Sequence, residues 1–127
     1  MQADNRAHAV KDQPTGITAV VSYKGYEDDN WKLPAETILM ERTEGESRMI
    51  SVCTPDLGLK QKTYTTPQPS QPLERIVRLK GAWDLASPYE DSVFGTAVQL
   101  SREGNSTVIR VTCRHGHPVE FRICLKN

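Results

Sequence analysis

The chain has 127 residues, long enough for one domain that buries roughly two-thirds of its unfolded surface without help from metal or disulfides. Lys+Arg and Asp+Glu both number 16, so the zero net charge gives no electrostatic case for nucleic acid or an anionic membrane as partner. No apolar run approaches the ~20 residues of a membrane-spanning helix, and the first six residues lack the apolar region of a signal peptide.

Residues 1–15 are polar and without period, a lead-in segment expected to be partly ordered along a sheet edge. Residues 16–127 are expected to form a single domain. Ile17 to Tyr23 is rich in β-formers and stops at Gly25. Tyr26, Glu27, Asp28, Asp29 and Asn30 then read as a loop leading to Trp31 and Pro34. Thr37–Arg42 and Arg48–Cys53 flank a charged, Gly-containing stretch over 43–47, which is a hairpin signal. After Thr54-Pro55-Asp56, the Pro-rich run from Thr66 to Pro72 suits an extended surface crossover. Leu73–Lys80 resumes the strand pattern and closes at Gly81-Ala82-Trp83, with Trp83 expected in the core. A loop over 84–95 follows.

Thr96–Ser101 and Thr107–Thr112 flank Arg102–Ser106, a second hairpin signal. Asn105-Ser106-Thr107 fits a glycosylation sequon, but Gly104-Asn105 is equally good turn chemistry. The last nineteen residues alternate most cleanly. Ile109, Val111 and Cys113 point one way, and after a Gly/Pro break Val119, Phe121, Ile123 and Leu125 point one way again. A period of two belongs to strands with one wet and one dry face, here read as a third hairpin. About seven or more short strands and no segment of helical period predict an all-β fold, a two-layer antiparallel β-sandwich.

Chemistry is sparse. Cys113, His115 and His117 have strand spacing for one face, but Gly116 and Pro118 break that strand, so no metal site is expected. The acidic loop at 27–30 lacks the spaced oxygen pattern of a calcium loop and reads as solvated. No Gly-x-Ser-x-Gly elbow, phosphate-binding Gly-rich loop or paired CxxC occurs. Three cysteines, Cys53, Cys113 and Cys124, cannot all pair within one chain, and a Cys53 bridge to either of the others stays open. With few aromatics in the chain, a sugar-stacking surface would draw on Trp31, Tyr26 and Tyr89, with Trp31 and Tyr26 the residues expected to stand exposed.

The order of features resembles one enzyme family. His8-Ala9-Val10, Thr15–Ala19 and Val21-Ser22-Tyr23 are followed by Leu33-Pro34, Ile38–Arg42, Met49–Asp56, Val77–Trp83 and the Asn105–Phe121 stretch. Together these resemble the C-terminal β-sandwich of family 8 polysaccharide lyases, which include hyaluronate, chondroitin and xanthan lyases. The resemblance spans roughly residues 8–125. It implies a parent enzyme, secreted or periplasmic, that cleaves uronic-acid-containing glycans by β-elimination, and a C-terminal module that supports the parent's central β-domain. The family's catalytic asparagine, histidine, tyrosine and arginine lie on a helical toroid with no counterpart here. No catalytic residue and no cofactor carry over. The alternative expectation is a stand-alone carbohydrate-binding or protein-interaction sandwich.

Overall fold

Side-chain alternation sets the phase of every long strand, and two sheets close on the dry faces it creates. A computed structural model describes residues 7–12, 16–54, 72–89, 96–114 and 118–126. Eleven strands are present among them: β1 (Ala7–Asp12), β2 (Ile17–Ser22), β3 (Tyr26–Glu27), β4 (Trp31–Leu33), β5 (Thr37–Glu44), β6 (Ser47–Cys53), β7 (Pro72–Lys80), β8 (Trp83–Leu85), β9 (Ala97–Glu103), β10 (Ser106–Arg114) and β11 (Val119–Leu125). They form a six-stranded sheet in the order β1-β2-β5-β6-β11-β8 and a five-stranded sheet in the order β3-β4-β7-β10-β9. Every pairing is antiparallel. The expected all-β two-layer sandwich is what the chain adopts.

The core lies between the layers. Val20, Leu39, Ile50, Val52 and Ile123 face inward from the six-stranded sheet, and Val77, Leu79, Ile109 and Val111 from the five-stranded one. Phe121 and Trp83 are buried with them. Val77 sits opposite Ile109, and Leu39 opposite Val52, so large aliphatic pairs stack across neighbouring strands.

The hairpins are tighter than the sequence reading had them. β5 and β6 pair out to Glu44 opposite Ser47, leaving only Gly45 and Glu46 in the turn. β9 and β10 likewise leave only Gly104 and Asn105. In both, glycine holds the first turn position at positive φ, 62° and 60°, the pattern of a type II′ turn whose twist matches the strands.

The Cys113–Val119 break is not a hairpin. β10 belongs to the five-stranded sheet and β11 to the six-stranded one, so the chain crosses between layers there. Alternation reports that both strands have a dry face, and two strands that share a core satisfy it whether or not they pair. The lead-in segment contributes edge strand β1, the loop read over 26–30 holds the short strand β3, and the residues it leads to form β4. The chain crosses layers again between β7 and β8, where buried Thr107 donates its hydroxyl to the Gly81 carbonyl (2.8 Å) and accepts the Trp83 amide (3.0 Å). The Pro-rich crossover up to residue 71, His115 and His117 lie outside the described residues.

The two outer faces differ. On the five-stranded sheet, Glu74, Arg78, Glu103 and Arg110 point outward and pair across strands, Arg78 with Glu103 at 3.2 Å and Arg110 with Glu74 at 3.7 Å. On the six-stranded sheet, the outward positions of β2, β5 and β6 carry Ile17, Ala19, Val21, Ile38, Met40 and Met49. Only the first face reads as an ordinary solvated surface.

Candidate functional site

The richest polar chemistry among the described residues lies where the β3–β4 turn meets the open end of the six-stranded sheet. Asp28 organises it. Its Oδ1 accepts the backbone N–H groups of Asn30 and Trp31, both at 2.7 Å, and the Asp28 amide donates to the Trp31 carbonyl at 2.9 Å. Oδ2 accepts the Tyr26 hydroxyl at 2.7 Å and lies 3.2 Å from Lys11 Nζ on β1. One carboxylate therefore folds the turn and ties it to the neighbouring layer. The expectation of a solvated acidic loop holds for Glu27, Asp29 and Asn30, which are exposed, and is corrected for Asp28, whose two oxygens are held by protein donors.

Partial burial opposes ionisation of Asp28, but the Trp31 amide, the Tyr26 hydroxyl, the Asn30 amide and Lys11 together outweigh it and lower the pKa from 3.8 to about 2. The same contact acts on its partner. Burial first, then the hydrogen bond to Asp28 and the charge of that carboxylate, raise the Tyr26 pKa to about 12.

A folded pKa below the unfolded value means the stabilisation is fully present above pH 3.8 and lost as pH falls toward about 2. Asp28→Asn is accordingly expected to cost about 2 kcal/mol at pH 7. Urea unfolding at pH 7 and again near pH 2 checks this, since the gap to the parent chain should close in acid. An equal gap at both pH values would assign the loss to packing and not to charge.

Behind the turn, two inward positions carry charge. Glu41 on β5 is 9% exposed and continues the dry-face phase of Thr37 and Leu39, and Arg48 on β6 shares the phase of Ile50 and Val52. They sit diagonally across the strands, since Glu41 is opposite Ile50 and Arg48 is opposite Thr43. Arg48 Nη1 donates to Glu41 Oε2 at 2.8 Å, and Trp31 Nε1 donates to Glu41 Oε1 at 3.4 Å. The Arg48 guanidinium lies 4.5 Å from the centroid of the Trp83 ring, and Trp83 Nε1 donates to the Lys80 carbonyl at 3.0 Å. The sequence Trp31–Glu41–Arg48–Trp83 thus closes this end of the sandwich with an ion pair held between two indoles.

An open cavity of about 250 Å³ is lined by Lys11, Thr18, Asp28, Asn30, Glu41 and Arg48, among others, and one of about 580 Å³ by Arg48, Trp83, Cys124 and Leu125, among others. Its charged groups answer one another. A general acid or base needs a carboxyl poised near the working pH and free to reach a substrate proton. Asp28 is ionised and fully bonded, and Glu41 holds Arg48 and Trp31. The arrangement suits locking two layers together. Among the described residues no set of three or more His, Cys, Asp or Glu side chains is placed to hold a metal ion.

The aromatic residues singled out from the sequence are placed differently. Trp31 is 2% exposed, so the expectation that it stands on the surface is corrected: its ring fills the core and no face is open to a sugar. Tyr26 and Tyr89 are half-buried and pack against that core. Tyr26 stays beside Trp31 through Asp28, whereas Tyr89 bonds Thr96 (2.7 Å) and lines a separate depression with Pro88, Met49 and Phe121. No single platform unites them.

Cys53, Cys113 and Cys124 are unpaired thiols. Burial pushes the Cys53 thiol up, with nearby Cys113 adding to it, and burial likewise pushes Cys113 up against the pull of Arg75. Neither is a ready thiolate. Sequence reading missed Glu41, Arg48 and Lys11. For the first two a signal existed, since both fall in phase with the dry positions of their strands.

No protein-family model and no curated protein sequence matches the chain. Among solved structures, it is similar to the Streptomyces coelicolor A3 chondroitin AC lyase determined in complex with chondroitin sulphate, with a TM-score of 0.67 at 16% identity over 98% of this chain. It is also similar to a tyrosine-to-alanine mutant of that lyase, with a TM-score of 0.65 at 17% identity, again over 98% of this chain. The chain spans 15% of the length of each of those lyase chains. At such identity the likeness shows a shared fold.

Proposed function

We propose that the chain is a non-catalytic β-sandwich domain of a family 8 polysaccharide lyase acting on uronic-acid-containing glycans of the chondroitin or hyaluronan type, secreted or periplasmic as part of its parent. In this reading its work is mechanical. It packs against the central β-domain, and so holds the substrate cleft, formed elsewhere in the enzyme, in register. Polysaccharide is the partner of the assembled enzyme.

The observation that carries the reading is the likeness over 98% of this chain to a small part of a chondroitin lyase. The engaged state of Asp28 and Glu41 supports a scaffold over a reactor. The test is direct. The purified 127-residue chain is mixed with chondroitin or hyaluronan, and ultraviolet absorbance of unsaturated product is followed. No product is expected from this chain, and product is expected from the polypeptide of the complete reading frame. Absorbance rising with the chain alone overturns the non-catalytic assignment, and a complete polypeptide inert on both glycans overturns the lyase assignment.

A further inference from the structure

We propose that the outer face of the six-stranded sheet is a docking surface for another domain of the same polypeptide. The inference rests on the reading above only in taking this chain as one domain of a longer one.

A two-layer sandwich ordinarily alternates apolar-in with polar-out along each strand. β2 breaks that rule. Its outward residues Ile17, Ala19 and Val21 are as apolar as its inward Val20. Across the pairings, Val21 meets Ile38 and Ala19 meets Met40 on one side, while Val10 of edge strand β1 meets Ala19 on the other. Val10 is 54% exposed and Met40 49% exposed. Ile17, Met40 and Met49 border a depression of about 260 Å³ on this face, together with Arg42, Ser51 and Glu120. At the rim, Arg42 and Arg122 both reach Glu44 Oε1 at 3.3 Å. An apolar centre inside a polar rim is the anatomy of an interface. The five-stranded sheet turns Ile76 and Val108 outward, but each sits opposite an arginine, Arg110 and Arg78, of its ion pairs.

Area selects the occupant. Strands about 4.8 Å apart and a rise of about 3.4 Å per residue make the patch roughly 20 Å by 17 Å, about 300 Å². A free-standing protein–protein interface needs about 800 Å² from each partner, so a second copy or a diffusing protein would be held poorly. Contacts between domains of one chain begin at about 600 Å² in total, half of it from each side, and the tether supplies an effective concentration near the millimolar range. The patch fits the tethered case. The lyase chains that share this fold are several times longer than this chain, which covers 15% of each.

The test is oxidative footprinting with hydroxyl radicals, using Met40 and Met49 as reporters and acetylation of Lys32 and Lys80 on the five-stranded side as the control. Rates are compared between the 127-residue chain and the polypeptide of its complete reading frame. Oxidation of Met40 is expected to slow by about tenfold in the longer polypeptide, the change from half-exposed to interface core, with both lysines labelled at unchanged rates. Equal Met40 rates in the two polypeptides overturn the proposal, as does a reading frame that encodes no further domain. Protection that appears in the 127-residue chain itself, together with a dimer in sedimentation, assigns the face to a second copy and overturns the tethered occupant. Protection in a longer polypeptide that lacks lyase activity upholds the docking face while the lyase reading falls.

Discussion

Replacing Trp31 with alanine is expected to destabilise the sandwich by about 3–5 kcal/mol, the range for deleting a large buried aromatic. The indole is 2% exposed, sits opposite Leu79 on β7 and belongs to the same buried cluster as Leu33 and Trp83. Its loss opens a cavity where the two-residue strand β3 and three-residue strand β4 are anchored to the core, leaving Leu33 and Tyr26 to hold them. It also removes a donor from Glu41. Since a domain of this size holds about 5–15 kcal/mol in all, the variant should be marginal at physiological temperature. Trp31→Phe keeps most of the volume and loses the N–H, so a smaller cost, about 1 kcal/mol plus part of the packing, is expected. Urea unfolding monitored by circular dichroism measures both. A Trp31→Ala chain within 1 kcal/mol of the parent would mean that the indole is not an anchor.

Trp31 also shows where the sequence stopped being readable. A strand of three residues, Trp-Lys-Leu, is too short for a period to be counted, and four polar residues precede it. What fixes it is Asp28 curling the turn back through two amide hydrogen bonds, a local geometry that composition describes equally well as a loop. The longer strands were legible because six to nine residues reveal their phase, and the burial of Val111, Phe121 and Ile123 follows from it. Phase says nothing of which strand lies beside which. The assignment of β10 and β11 to different sheets depends on non-local pairing with β7, β9, β6 and β8. The apolar outer face, by contrast, was written plainly. Ala19-Val20-Val21 and Ile38-Leu39-Met40 are runs without alternation, and such runs imply two dry faces. The order of sequence motifs pointed to a β-sandwich, and the solved structures share that fold.

Glu41→Ala should cost about 2–3 kcal/mol, somewhat below the figure for breaking a fully buried ion pair, because water reaches part of the surviving arginine. The side chains are 11% exposed for Glu41 and 32% for Arg48. The arginine would keep its seat over Trp83 but lose the carboxylate at 2.8 Å, and the Trp31 N–H would lose its acceptor. Adding Arg48→Met to Glu41→Ala should then restore part of the loss, since an apolar chain fills the space without an uncompensated charge. A double-mutant cycle with the two single variants is expected to give a coupling of about 1–2 kcal/mol. The coupling should fall less in high salt than that of an exposed pair, because a partly buried pair is screened less than one in water. Arg78 and Glu103, 36% and 63% exposed on the five-stranded face, provide the contrast: their coupling should lie below about 1 kcal/mol and vanish in salt. If the two pairs behave alike, the end of the sandwich is open to solvent and Glu41 is no structural charge. If they separate, Glu41 and Arg48 are a structural pair within the six-stranded sheet, sheltered from solvent, and the Trp31 N–H on Glu41 is what carries the contact to the other layer.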